Sequence, residues 1–149
     1  MPKGDILRMK RKHFLVVLFL ILAIFLSGCR RGEIVTPAID EIRIRNVIQE
    51  YCLAITNQDW SEAKSYCIHN SDMYDNVCQI EDLADDAFLG NYNINFLLTV
   101  DIFDVNIDGN YSQVYCWIFF RTEYYGDYYS DYGYDYLYLQ KVGNSWKLY

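Results

Sequence analysis

A chain of 149 residues, 52% hydrophobic and 17% aromatic, carries enough apolar side chains to bury the core of one modest domain, which excludes a wholly disordered polymer. The formal net charge of −7 conceals a split, with residues 1–28 at net +4 and residues 29–149 at net −11. An acidic body of that size repels phosphate backbones and anionic lipid head groups, so nucleic acid is excluded as an expected partner.

Residues 3–13 are basic, and residues 14–26 form an unbroken apolar run of 13 residues. That run is shorter than the roughly 20 residues a membrane-spanning helix needs, but it has the length of a secretory signal core. It closes on Leu26-Ser27-Gly28-Cys29. These four residues resemble the lipobox of bacterial lipoproteins, in which an apolar residue and two small ones precede an obligatory cysteine. The resemblance implies a signal peptide over residues 1–28, cleavage before Cys29, and acyl chains such as palmitate on that cysteine. One acyl chain holds a protein to a membrane only marginally, whereas two or three, at about 0.8 kcal/mol per buried methylene, hold it for long periods. The expected location is therefore the extracytoplasmic side of the cell membrane, with residues 29–36 as a tether and one domain over residues 37–149.

Thr36-Pro37 has the form of an N-cap followed by proline at the first helical position, with Asp40 and Glu41 near the positive end of the helix. Ile44, Val47, Ile48, Tyr51 and Ile55 then recur on one helical face, and Asn57-Gln58 ends it. Asp59 and Glu62 have the spacing of a capping box and predict a short second helix to about Cys67. A third helix is predicted from Ile80, with Leu83, Ala84, Ala87 and Phe88 on one face and Gly90-Asn91 as its stop.

After Asn93 the hydrophobic period changes to two. Phe96, Leu98, Val100 and Ile102 alternate with Leu97, Thr99, Asp101 and Phe103, and after a turn at Asp108-Gly109-Asn110 the set Val114, Cys116, Ile118 and Phe120 does the same. A third strand is predicted over residues 134–142, and Gly143-Asn144 turns it into a last strand over residues 145–149. Helices followed by an antiparallel meander predict an α+β fold, with N-terminal helices packed on a curved sheet of about four strands.

The first helix, the break over residues 54–59 before Trp60, and the closing run over residues 139–148 with its Lys141, Gly143-Asn144 turn, Trp146 and Lys147 resemble the nuclear-transport-factor-2-like superfamily. The resemblance covers about residues 38–149 and implies a cone whose open end forms a pocket between sheet and helices. It does not select an activity, because that fold carries isomerases, cyclases, dehydratases and ligand-binding modules.

Four groups of residues carry candidate chemistry. Asp104, Asn106, Asp108 and Gly109 copy the start of a calcium loop, but Tyr115 stands where the bidentate carboxylate belongs, so a hairpin turn is predicted and no metal is expected. Cys52, Cys67, Cys78 and Cys116 contain no Cys-x-x-Cys pair. In an exported domain they suggest one or two disulfides, of which three full pairings are possible, with buried thiols as the alternative. Cys67, His69 and Cys78 match no common zinc spacing. Eight of the fifteen tyrosines fall within residues 124–138, interleaved with acids, and residues 126–133 read as a long acidic hairpin tip. Tyr124, Tyr125, Tyr128, Tyr129, Tyr132 and Tyr134 are therefore the candidate binding surface, although tyrosine is also simply a good strand residue.

His69 is the single histidine of residues 29–149, no nucleophile–base arrangement can be placed by spacing, and Asp101 is expected to face solvent. The resulting expectation is a non-catalytic domain without cofactor that binds a surface protein, a small molecule or a glycan, or supports an envelope assembly. The alternative is a small pocket enzyme of isomerase, dehydratase or hydrolase type, recognisable by acid and tyrosine side chains converging inside a deep pocket.

Overall fold

The computed structural model describes residues 37–124 and 126–149; the expected signal peptide, Cys29, the 29–36 tether and Tyr125 lie outside the described residues. Three helices precede four strands: α1 (Pro37–Thr56), α2 (Trp60–Ser65), α3 (Asp72–Leu89), β1 (Ile94–Asp108), β2 (Tyr111–Tyr124), β3 (Asp127–Val142) and β4 (Ser145–Leu148). The strands form one antiparallel sheet in the order β1-β2-β3-β4, a meander in which each strand pairs with the next in sequence. The α+β architecture is the one expected from the order of helical and alternating segments.

Helix α1 buries Ile44, Ile48, Tyr51 and Ile55, the predicted face, against the sheet. Full burial of an aliphatic side chain of this size contributes about 1.5–3 kcal/mol. The helix also closes the outer edge of β1. Thr56 Oγ1 accepts from Leu98 N (3.1 Å), Gln58 Nε2 donates to Ile94 O (3.0 Å), and Arg45 Nη1 donates to Ile102 O (3.2 Å). Unpaired strand groups that would otherwise template association are thereby satisfied. The opposite edge is closed at β4, where Ile68 N donates to Leu148 O (2.7 Å) and Leu148 N to Tyr66 O (2.9 Å).

The closing strand carries the strongest anchor. Trp146 is 1% exposed and its Nε1 donates to Asp40 Oδ1 (3.1 Å), while Lys141 Nζ contacts both oxygens of the same carboxylate (2.8 and 3.2 Å). Asp40 is therefore more than an acid near a helix start: it ties α1 to β3 and β4. Burial by itself raises the Asp40 pKa, but the hydrogen bonds from Lys141 and Trp146 and the charges of Lys141 and Arg43 outweigh it and hold the carboxyl below its ordinary value.

Two boundaries differ from expectation. Helix α3 begins at Asp72, eight residues before the predicted Ile80, because Ser71 caps it by accepting from Tyr74 N (3.2 Å) and Asp72 and Asp75 occupy its first turn. Phe88, expected on its inner face, is 79% exposed. Strand β3 begins at Asp127, seven residues before the predicted start. The tyrosine–aspartate run pairs with β2 throughout, from Tyr124↔Asp127 to Tyr111↔Gln140. The predicted 126–133 tip is thus strand, and Gly126, at φ 83°, makes the turn. The alternation of that run is masked in sequence because its inner positions after Tyr129 are Asp131, Gly133 and Asp135 and not apolar residues.

Candidate functional site

The inner face of the sheet and the helices enclose a cavity of about 780 Å³. Helix α3 supplies one wall with Met73, Asn76, Ile80, Leu83 and Ala87, a set spaced three and four residues apart on one helical face. Tyr51 and Cys52 of α1 supply another, and the inward residues Phe96, Leu98, Val100, Ile118, Phe120 and Leu137 form the sheet side. Phe96 meets Trp60 edge-on at 5.7 Å between centroids and stacks on Phe120 at 6.1 Å, which fixes the aromatic floor. At another wall Tyr92 packs edge-on against Tyr124 at 5.9 Å. Gly90 permits this placement, because a Cβ there would lie 2.5 Å from the Tyr92 ring.

The lining is mostly apolar with few polar groups. Tyr51 is 5% exposed and lines the cavity, and its hydroxyl has no hydrogen-bond partner among the described residues. Burial, with the nearby Cys67 and Cys52 as lesser causes, pushes its pKa well above the ordinary tyrosine value, so it stands as a neutral donor at neutral pH. Asp86 and Asp135 also line the cavity, but both are exposed, and Asp135 Oδ1 already accepts from Tyr136 N (2.7 Å).

The six candidate tyrosines do not form one surface. Strand alternation turns Tyr124 and Tyr129 toward the cavity, where both line its wall, and turns Tyr128, Tyr132 and Tyr134 to the outer face. Tyr125 is outside the described residues. On the outer face Tyr132 and Tyr134 join Phe103, Tyr115, Trp117, Phe119 and Tyr136 in ring-to-ring contacts, while Tyr128 lies under the Arg121 guanidinium and Tyr138 meets Tyr149. Tyr115 stacks on Tyr134 at 5.8 Å, Phe103 leans on Tyr134 at 5.9 Å, and Trp117 contacts Tyr132 at 6.2 Å. The interleaved aspartates act locally. Asp131 Oδ1 accepts from Tyr132 N (2.9 Å) as Asp135 does from Tyr136 N, satisfying amides of β3 beyond the reach of β4.

All four described cysteines are free thiols. Burial raises Cys52 and Cys67 to about 12 and Cys116 to about 11, which keeps them protonated and unreactive at neutral pH. Cys67 Sγ donates to Ala63 O and Cys116 Sγ to Asp135 O, each at 3.6 Å. His69 is exposed and packs against the Tyr74 ring at 4.8 Å. Asp104, Asn106 and Asp108 lie along β1 as paired strand residues, and Gly109 at φ 58° turns the chain into β2. Asp101 is exposed on the outer face opposite Trp117. Among the described residues no group of three or more His, Cys, Asp or Glu side chains could hold a metal ion.

Sequence reasoning names much of the lining, Phe96, Leu98, Val100, Ile118 and Phe120 by strand alternation and Leu83 and Ala87 by helical period, but not that these residues enclose a cavity. By periodicity Tyr51 is one more core position of α1, and the first eight residues of α3, which supply Met73 and Asn76 to the wall, fall before the predicted start at Ile80. The signal that could have found them is Ser71-Asp72 followed by Asp75, a cap with first-turn acids.

No family model and no curated protein matches this chain. Solved structures do. A candidate dehydratase of the nuclear-transport-factor-2-like family from Streptomyces avermitilis superposes with a TM-score of 0.54 at 15% identity, over 76% of this chain and 93% of that one. A nuclear-transport-factor-2-like protein with a cystatin-like fold from Novosphingobium aromaticivorans gives 0.54 at 12% identity, over 73% and 77%. A candidate scytalone dehydratase from Novosphingobium aromaticivorans gives 0.58 at 13% identity, over 74% and 80%. At these identities the likeness establishes the fold: helices followed by a curled four-stranded antiparallel sheet, the nuclear-transport-factor-2-like cone.

Proposed function

We propose that this chain is a lipid-anchored, extracytoplasmic protein that binds, without transforming it, an apolar small molecule carrying a hydrogen-bond acceptor in the cone. The observation that carries the reading is the cavity of about 780 Å³ with apolar walls and the Tyr51 hydroxyl, which has no partner among the described residues. A mostly apolar pocket with a few placed polar groups is the usual form of a small-molecule site. A ligand without an acceptor leaves Tyr51 unpaired, whereas one with a carbonyl or ether gains a hydrogen bond there. The anchor reading rests on Leu26-Ser27-Gly28-Cys29 and the apolar run before it.

A second reading, a pocket enzyme of isomerase, dehydratase or hydrolase type, draws support from Asp135, Asp86 and Tyr51 lining one cavity and from two neighbours described as candidate dehydratases. Binding is preferred because both carboxylates are exposed and Asp135 already serves its own strand.

The test uses residues 37–149 and an uncharged naphthalene ketone whose emission reports both apolarity and hydrogen bonding to its carbonyl. Saturable, blue-shifted emission is expected, and it should vanish in Ala87→Phe, which fills the cavity from α3. Equal binding by Ala87→Phe with an unchanged circular dichroism spectrum would refute the pocket. Turnover of a hydroxylated substrate that is lost in Asp135→Asn would replace binding by the enzyme reading.

A further inference from the structure

Exposure divides the cone into a floor and a mouth. Tyr51, Cys52 and Phe96 line the cavity and are no more than 7% exposed, whereas Tyr92, Tyr129, Asp86 and Asp135 line the same cavity and are exposed. The mouth thus carries carboxylates from α3 and β3 together with tyrosine rings, and Tyr124 packs edge-on against Tyr92 beside them. We propose that the cone selects a cationic amphiphile, with its apolar body in the cavity and an alkylated ammonium group held at the mouth by these rings and carboxylates. The proposal rests on the reading of the cone as a small-molecule site and adds to it the charge of the ligand.

The chain supplies no cation of its own to this mouth. No lysine, arginine or histidine lines the cavity, and its other polar groups, Asn76, Gln79 and Thr122, are neutral. Among the described residues every lysine and arginine is engaged elsewhere. Arg43 and Lys141 meet Asp40, Arg45 meets Glu41, Lys64 meets Glu81, Lys147 donates to Ser65 O, and Arg121 lies over the Tyr128 ring on the outer face. Asp135 accepts from Tyr136 N through Oδ1 alone, which leaves Oδ2 for a ligand. An anionic head would meet two like charges with no partner, and a neutral head would leave both carboxylates unused. A bare metal ion is a poor occupant, because among the described residues no group of three His, Cys, Asp or Glu side chains could chelate it. An alkylated ammonium needs no chelating set: it is attracted to aromatic faces and to diffuse negative charge. At the floor, the buried Tyr51 hydroxyl, without a partner among the described residues, takes an acceptor at the other end of the guest. The ligand is therefore read end to end, as acceptor, apolar body and cation.

The test compares naphthalene ketones that differ only in the arm opposite the carbonyl: a trimethylammonium arm, its uncharged tert-butyl isostere, and a carboxylate arm. The full chain is held in discs of zwitterionic lipid. Binding is read as energy transfer from its tryptophans, of which Trp60 packs on the cavity residue Phe96, with empty discs as the baseline. The cation should bind roughly 10- to 100-fold more tightly than its isostere, and the carboxylate more weakly than either. That preference should shrink as salt rises from about 20 to about 500 mM. It should disappear when Asp86→Asn is combined with Asp135→Asn. It should persist when Asp82→Asn is combined with Asp85→Asn, which removes the same charge from exposed α3 positions outside the lining. Equal affinity for cation and isostere would overturn the proposal and leave the pocket reading standing, whereas binding of none of the three would remove both. Equal loss of preference in the two paired variants would trace it to the overall charge of the chain and overturn the proposal as well.

Discussion

Replacing Asp40 by alanine should be among the most damaging single changes available outside the aliphatic core. Asp40 is 7% exposed, and its carboxylate accepts from two donors, Trp146 Nε1 and Lys141 Nζ, that belong to the far end of the chain. Alanine leaves the 1%-exposed indole N–H without an acceptor, which costs about 1–3 kcal/mol. It also strands the Lys141 ammonium, although that four-carbon chain can recover part of the loss by reaching solvent. About 3 kcal/mol in total is expected, within the range for breaking a buried pair, and at roughly 4 °C per kcal/mol for a domain of this size the melting temperature should fall by about 12 °C. Asp40→Asn keeps an oxygen for Trp146 and loses only the charge, so it should fall by about half as much. The pH dependence has a definite sign. The folded Asp40 pKa lies below its unfolded value, so its stabilisation is fully present above the unfolded pKa, near 3.9, and is lost as pH falls through the folded pKa. Thermal and urea denaturation of wild type and Asp40→Asn between pH 2 and 8 should show a gap that is constant above about pH 5 and closes in acid. An Asp40→Ala protein as stable as the exposed-site control Asp82→Ala, or a gap that persists at pH 2, would refute the anchor.

Tyr51→Phe should leave the empty protein equally or more stable, because it deletes a hydroxyl with no partner among the described residues, yet weaken the naphthalene ketone about 2- to 13-fold, as measured by fluorescence titration. Gly90→Ala should move the Tyr92 ring, which a Cβ meets at 2.5 Å, and change near-ultraviolet circular dichroism and probe affinity together. In the native protein at pH 8, Cys52, Cys67 and Cys116 should resist iodoacetamide while half-buried Cys78 reacts first, as read by peptide mass mapping. Cys29→Ser should abolish incorporation of labelled palmitate; wild-type protein that takes up no label would remove the lipid anchor.

What the sequence determined by itself is what local patterning encodes. The 3.6-residue period of Ile44, Ile48, Tyr51 and Ile55 defined the buried face of α1, the two-residue period of 96–102 and 114–120 defined β1 and β2, and Asp59 with Glu62 defined the start of α2. Order and period together predicted helices on an antiparallel meander, and the resemblance of the first helix and the closing strand to the nuclear-transport-factor-2-like superfamily implied the cone. What only the tertiary structure decided depends on partners far away in the chain. Asp40 is an ordinary first-turn acid until Trp146, 106 residues later, donates to it. The tyrosine–aspartate run has no apolar alternation of its own and becomes strand because β2 offers a complete ladder of partners, which then sends Tyr124 and Tyr129 to the cavity and Tyr128, Tyr132 and Tyr134 to the opposite face. The cavity itself is a volume left between α1, α3 and the sheet. Periodicity names the residues that face inward, but only the distance between layers decides whether they touch each other or leave room for a guest.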